Sequence, residues 1–456
     1  MRKRFGVVLA ALALATAVAA PAQASPTFSN TLLLATFTPP ASLTTSPHAN
    51  STGNSEPAIA IGGPDNTLVV DGLAWLPFQV NLWKGHFGDT PPAYFGGMDT
   101  SIPVRGNGRA GLGDGDADVE VTSAGTVLLA DLDFIVNQRF NFQLGVSVTR
   151  CAAGSLGPDH CTTTAIDQSG ADRPWLTVDG TSAWISYHDS GNSAIIHVVR
   201  STDDGRTWTK VGNPIVGQGS PTGDATFNND QGPLVADPHS GNVYDVYAAG
   251  EASVQKGTSA DFNNIYVSRS VDGGLTWTAN LVYHAPLGTA LNNIFPALGV
   301  DPTNGNLYAA WSDQHTIWVS SSTDAGSHWT APLGVNTATT AVMPWVAARN
   351  GKVDVVYYGT SASSINDTNA DWFVYDSQYT GSWSVRQVSN SSNRHGAVCL
   401  GGSGCSSNRE LLDLFEVVEN PVNNKAAVIY TDTTIDTWTQ AGTSHQLPEI
   451  ILAYEN

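Results

Sequence analysis

Short apolar runs bounded by Gly, Pro, Asn and Asp recur from residue 56 to the end of the chain, and no stretch carries a convincing 3.6-residue period. The runs fall into repeating units. Each opens with a short apolar strand, passes a turn, and is answered by a second strand rich in Val, Tyr, Trp and Ala. The openings lie at 56–61, 118–121, 173–178, 232–236, 295–300, 343–347 and 412–417, and the answering strands at 68–75, 127–132, 183–187, 243–249, 307–311, 353–358 and 426–430. Turn residues such as Asp301-Pro302-Thr303-Asn304-Gly305 lie between them. Seven openings at this spacing predict an all-β chain of four-stranded antiparallel blades, arranged as a seven-bladed β-propeller. The alternative is a six-bladed ring in which 56–98 is an insertion. The seventh unit shows only three strands, ending at 450–454. The β-like segment 31–37, Thr-Leu-Leu-Leu-Ala-Thr-Phe, is therefore expected to supply its outer strand and close the ring, removing the open edges of a sheet.

A second repeat is shorter and sharper. Ser201-Thr202-Asp203-Asp204-Gly205-Arg206-Thr207-Trp208 returns at 270–277 and again at 322–329, always as S-x-D-x-G-x-x-W. The spacing suits a tight hairpin turn: the carboxylate accepts from turn amides, Gly permits positive φ, and the Trp ring is buried between sheets. The pattern resembles the Asp box of the sialidase-like β-propellers, in their secreted bacterial form. The resemblance covers nearly the whole chain after the leader and implies that ligands bind over the central channel. By strand direction these turns, between third and fourth strands, face the opposite, bottom side, so the repeated Asp residues read as structural.

The first 24 residues read as a signal peptide. Arg2, Lys3 and Arg4 precede an apolar stretch from Phe5 to Ala20, and Ala22-Gln23-Ala24 has the small-x-small pattern of a cleavage site. Residues 25–456 are then one exported, extracellular propeller domain. Losing the three basic residues takes the formal charge from −20 to −23. So acidic a chain repels nucleic acid and anionic membranes. The four cysteines form two close pairs, Cys151/Cys161 and Cys399/Cys405, read as local disulfides, with metal binding as the alternative.

Top-face positions precede first strands or follow second strands. They include Glu56, Asp116, Asp118, Asp172, Arg173, Asp230, Arg409 and Glu410 before first strands, and Asp131, Asp133, His188, Asp189, Glu251, Asp313 and Asp432 after second strands. Longer loops add Arg105, Arg109, Arg139 and Arg394. The resemblance implies a glycan-active hydrolase of exo-sialidase-like type acting as a monomer on an extracellular glycan or glycoside. Asp118, Asp230 and Glu251 are its candidate carboxylates and His188 a candidate base. Arg173 and Arg409, with Asp172 and Asp313, are candidates for substrate binding. The Arg-Ile-Pro-type motif of sialidases is missing near the first blade; Arg173-Pro174 lies in the third and lacks the intervening residue. A polysaccharide lyase using His188, and a non-catalytic propeller that binds glycan or protein, are the alternatives. No cofactor is required, though Asp114-Gly115-Asp116-Ala117-Asp118 has the alternation of a calcium loop without the remaining EF-hand ligands.

Overall fold

The computed structural model describes residues 27–35, 44–45, 53–75, 78–98, 110–136, 142–190, 195–215, 229–250, 262–440 and 443–456. The expected signal peptide, Glu251, Arg105, Arg109 and Arg139 lie outside these residues. Seven antiparallel sheets follow one another along the chain, six built around successive strands and the seventh completed by a strand from the start of the chain. Blade 1 spans 54–98, blade 2 110–167, blade 3 171–212, blade 4 229–284, blade 5 297–334 and blade 6 340–387. Blade 7 takes Glu416–Glu419, Ala426–Gln440 and Thr443–Glu455 from the end of the chain. Its outer strand is Phe28–Leu33, paired antiparallel with the last strand from Phe28↔Glu455 to Leu33↔Ile450. The closing strand thus starts three residues earlier than the apolar pattern indicated. Residues 54–98 form a full blade, which settles the ring at seven rather than six.

Apolar faces of adjacent blades meet in pairs. Val69, Val80 and Leu82 of blade 1 pack on Val119, Val121 and Leu129 of blade 2. Trp372 and Tyr358 of blade 6 pack with Phe415, Val428 and Phe28 at blade 7. Near the axis the inner strands crowd together. A Cβ on Gly62 would lie 2.3 Å from the Val121 carbonyl oxygen, and one on Gly232 2.2 Å from that of Pro296. No other residue fits there. Polar side chains tie inner strands to their neighbours: Asp118 Oδ2 accepts from Leu176 N at 2.7 Å, Thr177 Oγ1 from Ala236 N at 3.0 Å, and Glu416 Oε2 from Ile59 N at 2.9 Å.

The three repeated turns join third to fourth strands in blades 3, 4 and 5, on the bottom face. Asp203 Oδ1 accepts from Arg206 N and Thr207 N, and Asp272 repeats the pattern with Leu275 N and Thr276 N. Gly205, Gly274 and Gly326 have φ of +77°, +97° and +78°, and each accepts a hydrogen bond from the indole of its own turn's Trp. In blade 2 the same turn is closed by the Cys151–Cys161 disulfide; the second disulfide joins Cys399 and Cys405.

A buried ion cluster sits where the chain ends. Glu455 accepts from Lys352 Nζ at 2.9 Å, Arg386 Nη1 at 2.5 Å, Gln378 Nε2 at 3.1 Å and Ala426 N at 2.8 Å. Burial raises its proton affinity, but these donors outweigh burial and hold it down at about 2. Arg386 also lies 5.0 Å over the Phe28 ring. Glu455→Gln should therefore destabilise the fold by roughly 3–5 kcal/mol, the scale of breaking a buried pair. Denaturant unfolding checks this, and because the carboxyl is depressed in the folded state, the wild type's advantage should fade as pH falls below about 4.5.

Candidate functional site at the head of the channel

Most inner strands begin with a kink, and the kinks build the site. Register slips by a bulge at Asp114/Ala117, Asp172/Trp175, Gln231/Leu234 and Val342/Trp345. At the kink four non-glycine residues adopt left-handed backbone: Glu56 (φ 52°), Arg173 (58°), Met343 (55°) and Leu412 (56°). Three of them precede a proline. Such a backbone costs about 1–3 kcal/mol at a non-glycine residue, so its recurrence at one level of four blades means the surroundings enforce it.

The kink residues meet at the head of the channel. Arg173 Nη1 lies 2.7 Å from Glu56 Oε1 and 3.1 Å from Asp116 Oδ2. Its guanidinium carbon stands 4.7 Å from the ring centroids of both Trp175 and Phe295, and Trp345 packs 5.5 Å from Trp175. A buried cation thus rests on an aromatic floor, between carboxyls from blades 1 and 2. Arg409 Nη2 binds Asp413 Oδ2 at 2.5 Å just before blade 7. Glu56, Asp116 and Arg409 form one wall of a pocket of about 190 Å³, and Leu73, Phe134 and Leu412 contribute an apolar one.

These carboxyls differ sharply in proton affinity. Burial and then the Asp116 charge push Glu56 well above the usual carboxylate range, against the pull of Arg173. Burial would raise Asp116 too, but Arg173, a hydrogen bond with Glu56 and the more distant Arg409 hold it low. Burial raises Asp172, helped by Asp116, and raises Asp230 to about 7 against a hydrogen bond from Asn292. Arg173 loses through burial and gains more from Glu56, Asp116 and Asp413, so it stays charged.

The expected site residues are distributed as follows. Arg173, Arg409, Asp172 and Asp230 share this electrostatic neighbourhood, and Arg409 lines the pocket. Asp118 lies further along its strand, in the lower channel, a cavity of about 310 Å³ shared with Glu120, Glu416 and Glu419. Burial raises it to about 7 although it accepts the Leu176 amide. His188 stands opposite Asp172 in the register of blade 3, and Asp189 bonds His197 Nε2 at 3.1 Å. Asp313 closes a turn, accepting from His315 N, Thr316 N and the Trp318 indole. The calcium-like loop is divided: Asp116 faces Arg173, Asp118 faces Leu176, and Asp114 joins Asp131 and Asp133. The last three, all buried, bring carboxylate oxygens within 4.8 Å of one another, and Ser147 Oγ donates to Asp131 and Asp133. That all-oxygen set suits a hard cation such as calcium. Asp413 and the aromatic floor were not singled out in the sequence; three X-Pro steps and their aromatic flanks were the available signal.

No family model matches the chain, and no curated protein matches it. Among solved structures it is similar to a protein of unknown function from Dyadobacter fermentans, at 14% identity over 74% of this chain and 95% of that one, with a TM-score of 0.44. It is also similar to a Hadza microbial sialidase, at 15% identity over 83% and 76%, TM-score 0.45. An alpha-L-arabinanase from Penicillium chrysogenum complexed with arabinobiose gives 13% over 73% and 94%, TM-score 0.46. The likeness is one of fold. At this distance it says nothing about the chemistry of the site.

Removing Arg173 leaves Glu56 and Asp116 facing each other without their cation. Arg173→Met is expected to cost roughly 3–5 kcal/mol at pH 8 and clearly less at pH 5, where the freed carboxyls take up protons. Urea unfolding at the two pH values measures the difference.

Proposed function

We propose that the chain is a secreted, extracellular glycoside hydrolase that works as a monomer at the top-face pocket. The observation that carries this reading is the pocket at the head of the channel, whose wall brings Glu56, Asp116 and Arg409 together beside carboxyls of opposed proton affinity. Asp116 is held ionised, while Asp230 keeps its proton to about pH 7 and Glu56 is raised well above the usual range. Glycosidic cleavage needs this division: one carboxyl gives a proton to the leaving oxygen while another, ionised, stabilises positive charge at the sugar or activates water. We assign Asp230 the acid role and Asp116 the ionised one. Arg409, the half-exposed guanidinium on the pocket wall, is placed to contact a bound sugar. Arg173 positions the carboxyls, since Glu56 and Asp116 already occupy it.

That same occupancy favours a second reading, a propeller that binds extracellular glycan through this face without turning it over. The two part in a screen of purified protein against fluorogenic sialosides, neutral glycosides and uronic polysaccharides, the last also reporting lyase activity. Turnover of at least one class is expected, with Asp230→Asn and Asp116→Asn each lowering kcat/KM by about a thousandfold without unfolding the protein. Because Asp230 acts protonated, the wild-type rate should fall as pH rises through about 7, and the substitution should remove that limb. Saccharide binding with no turnover in any class would establish the second reading.

A further inference from the structure

Outside the channel, blade 6 carries an aromatic face that blade 5 covers only in part. In the strand Asp371–Tyr379, Phe373, Tyr375 and Tyr379 fall at alternate positions, on one side of the sheet. The outer strand Trp383–Gln387 sets Trp383 opposite Tyr379 and Gln387 opposite Tyr375, adding to the same side. The rings are in mutual contact: Tyr357 stacks on Tyr375 at 5.7 Å, Phe373 meets Tyr375 at 6.4 Å, and Tyr379 meets Trp383 at 5.5 Å. Gly359 lets the Tyr375 ring lie against the backbone, since a Cβ there would come within 3.0 Å of it. Tyr375, Tyr379 and Trp383 are each only partly buried.

The reason lies in blade 5. Its outer strand is only Leu333–Gly334, against seven residues, Thr278–His284, in blade 4. Two residues cannot roof the neighbouring aromatic row. The result is a groove of about 620 Å³ on the rim, between Leu333 and Val335 on one side and Tyr375, Trp383 and Val385 on the other. Thr337, Ser384 and Gln387 supply polar edges, and no charged residue lines it. That is notable in a chain of formal charge −20.

We propose that this groove is a second, non-catalytic binding site for a neutral oligosaccharide. Its volume lies in the range of small-ligand sites. Flat rings bordered by hydroxyl and amide groups match the alternation of C–H faces and hydroxyls on a sugar. The uncharged lining matches an uncharged ligand and gives an acidic sugar no counter-charge. The site is remote from the head of the channel, so binding here does not depend on the activity proposed above.

Affinity electrophoresis in native gels with soluble arabinan, galactan, β-glucan or polygalacturonate tests the assignment. Retardation by at least one neutral polysaccharide and none by polygalacturonate is expected. Trp383→Ala should weaken it at least tenfold, and so should Ser384→Arg, which blocks the groove while leaving the aromatic packing in place; circular dichroism confirms that both fold. Arg206→Ala, at an exposed bottom-face turn remote from both sites, should leave retardation unchanged, and neither groove variant should alter any turnover at the channel, which separates this site from the other. Retardation by none of the neutral polymers, or unaltered retardation in both groove variants, overturns the proposal. So does a concentration-dependent dimer, by light scattering, that Ser384→Arg abolishes, because the occupant is then a second copy of the chain.

Discussion

The charged groups at the head of the channel come from blades 1, 2, 3 and 4 and from the segment leading into blade 7, so their arrangement exists only while blade 7 stays docked against blade 1. Closure is therefore the constraint on which the site depends. Two contacts make the dependence direct: the Glu56 amide donates to Thr431 Oγ1 of blade 7 at 3.3 Å, and the Ile59 amide donates to Glu416. Blade 7 is itself completed by Phe28–Leu33, whose first ring is covered by Arg386 of the ion cluster around Glu455. The chain's two ends and its central site are thus parts of one mechanical loop.

The two ends of the ring show the same electrostatics put to different use. In the cluster around Glu455, two cations, Lys352 and Arg386, are packed among four acids, and proton affinities split widely: Glu455 sits at about 2, while burial and Asp354 drive Glu419 to about 10. At the head of the channel Arg173 and Arg409 face a similar excess of carboxyls. Perturbed carboxyls alone therefore do not mark function, because structural ion networks produce them as well. What sets the upper cluster apart is a pocket beside Glu56, Asp116 and Arg409, with Arg409 still half exposed.

Much of the architecture was legible in the sequence. Apolar runs at regular spacing gave seven blades, and the missing fourth strand at the end pointed to a donor at the beginning. The donor was misplaced by three residues because 31–37 is more apolar than 28–33, whereas pairing is fixed by where the last strand runs, with Phe28 filling a space at blade 6. Arg173, Arg409, Asp172 and Asp230 were recognisable as top-face residues from strand direction. Their partnerships were not. Which carboxyl meets Arg173 depends on the kink at the start of each inner strand, and left-handed backbone at Glu56 or Arg173 leaves no trace in residue type. The alternation at Asp114, Asp116 and Asp118 was real, but the bulge between Asp114 and Ala117 sends the three side chains to three destinations.

Ties around the bottom face hold successive blades at one level. Arg150 of blade 2 donates to the Asp204 carbonyl in the turn of blade 3, and Arg269 of blade 4 to the Ala325 carbonyl in the turn of blade 5. Trp184 of blade 3 reaches the Gly273 carbonyl in blade 4 in the same manner. Beyond blade 5 the devices change but the stitching continues: Asp301 accepts the Asn350 and Gly351 amides of blade 6, and Lys352 of blade 6 donates to the Asn424 carbonyl of blade 7. Each tie joins a blade to the next at the same level. With the bottom turns committed to holding blades in register, substitutions there act on stability. Ties between blades also run through the head of the channel, where Arg173 of blade 3 joins Glu56 of blade 1 and Asp116 of blade 2. A substitution there acts on stability and on the site together; what distinguishes that end is that its ties border a pocket.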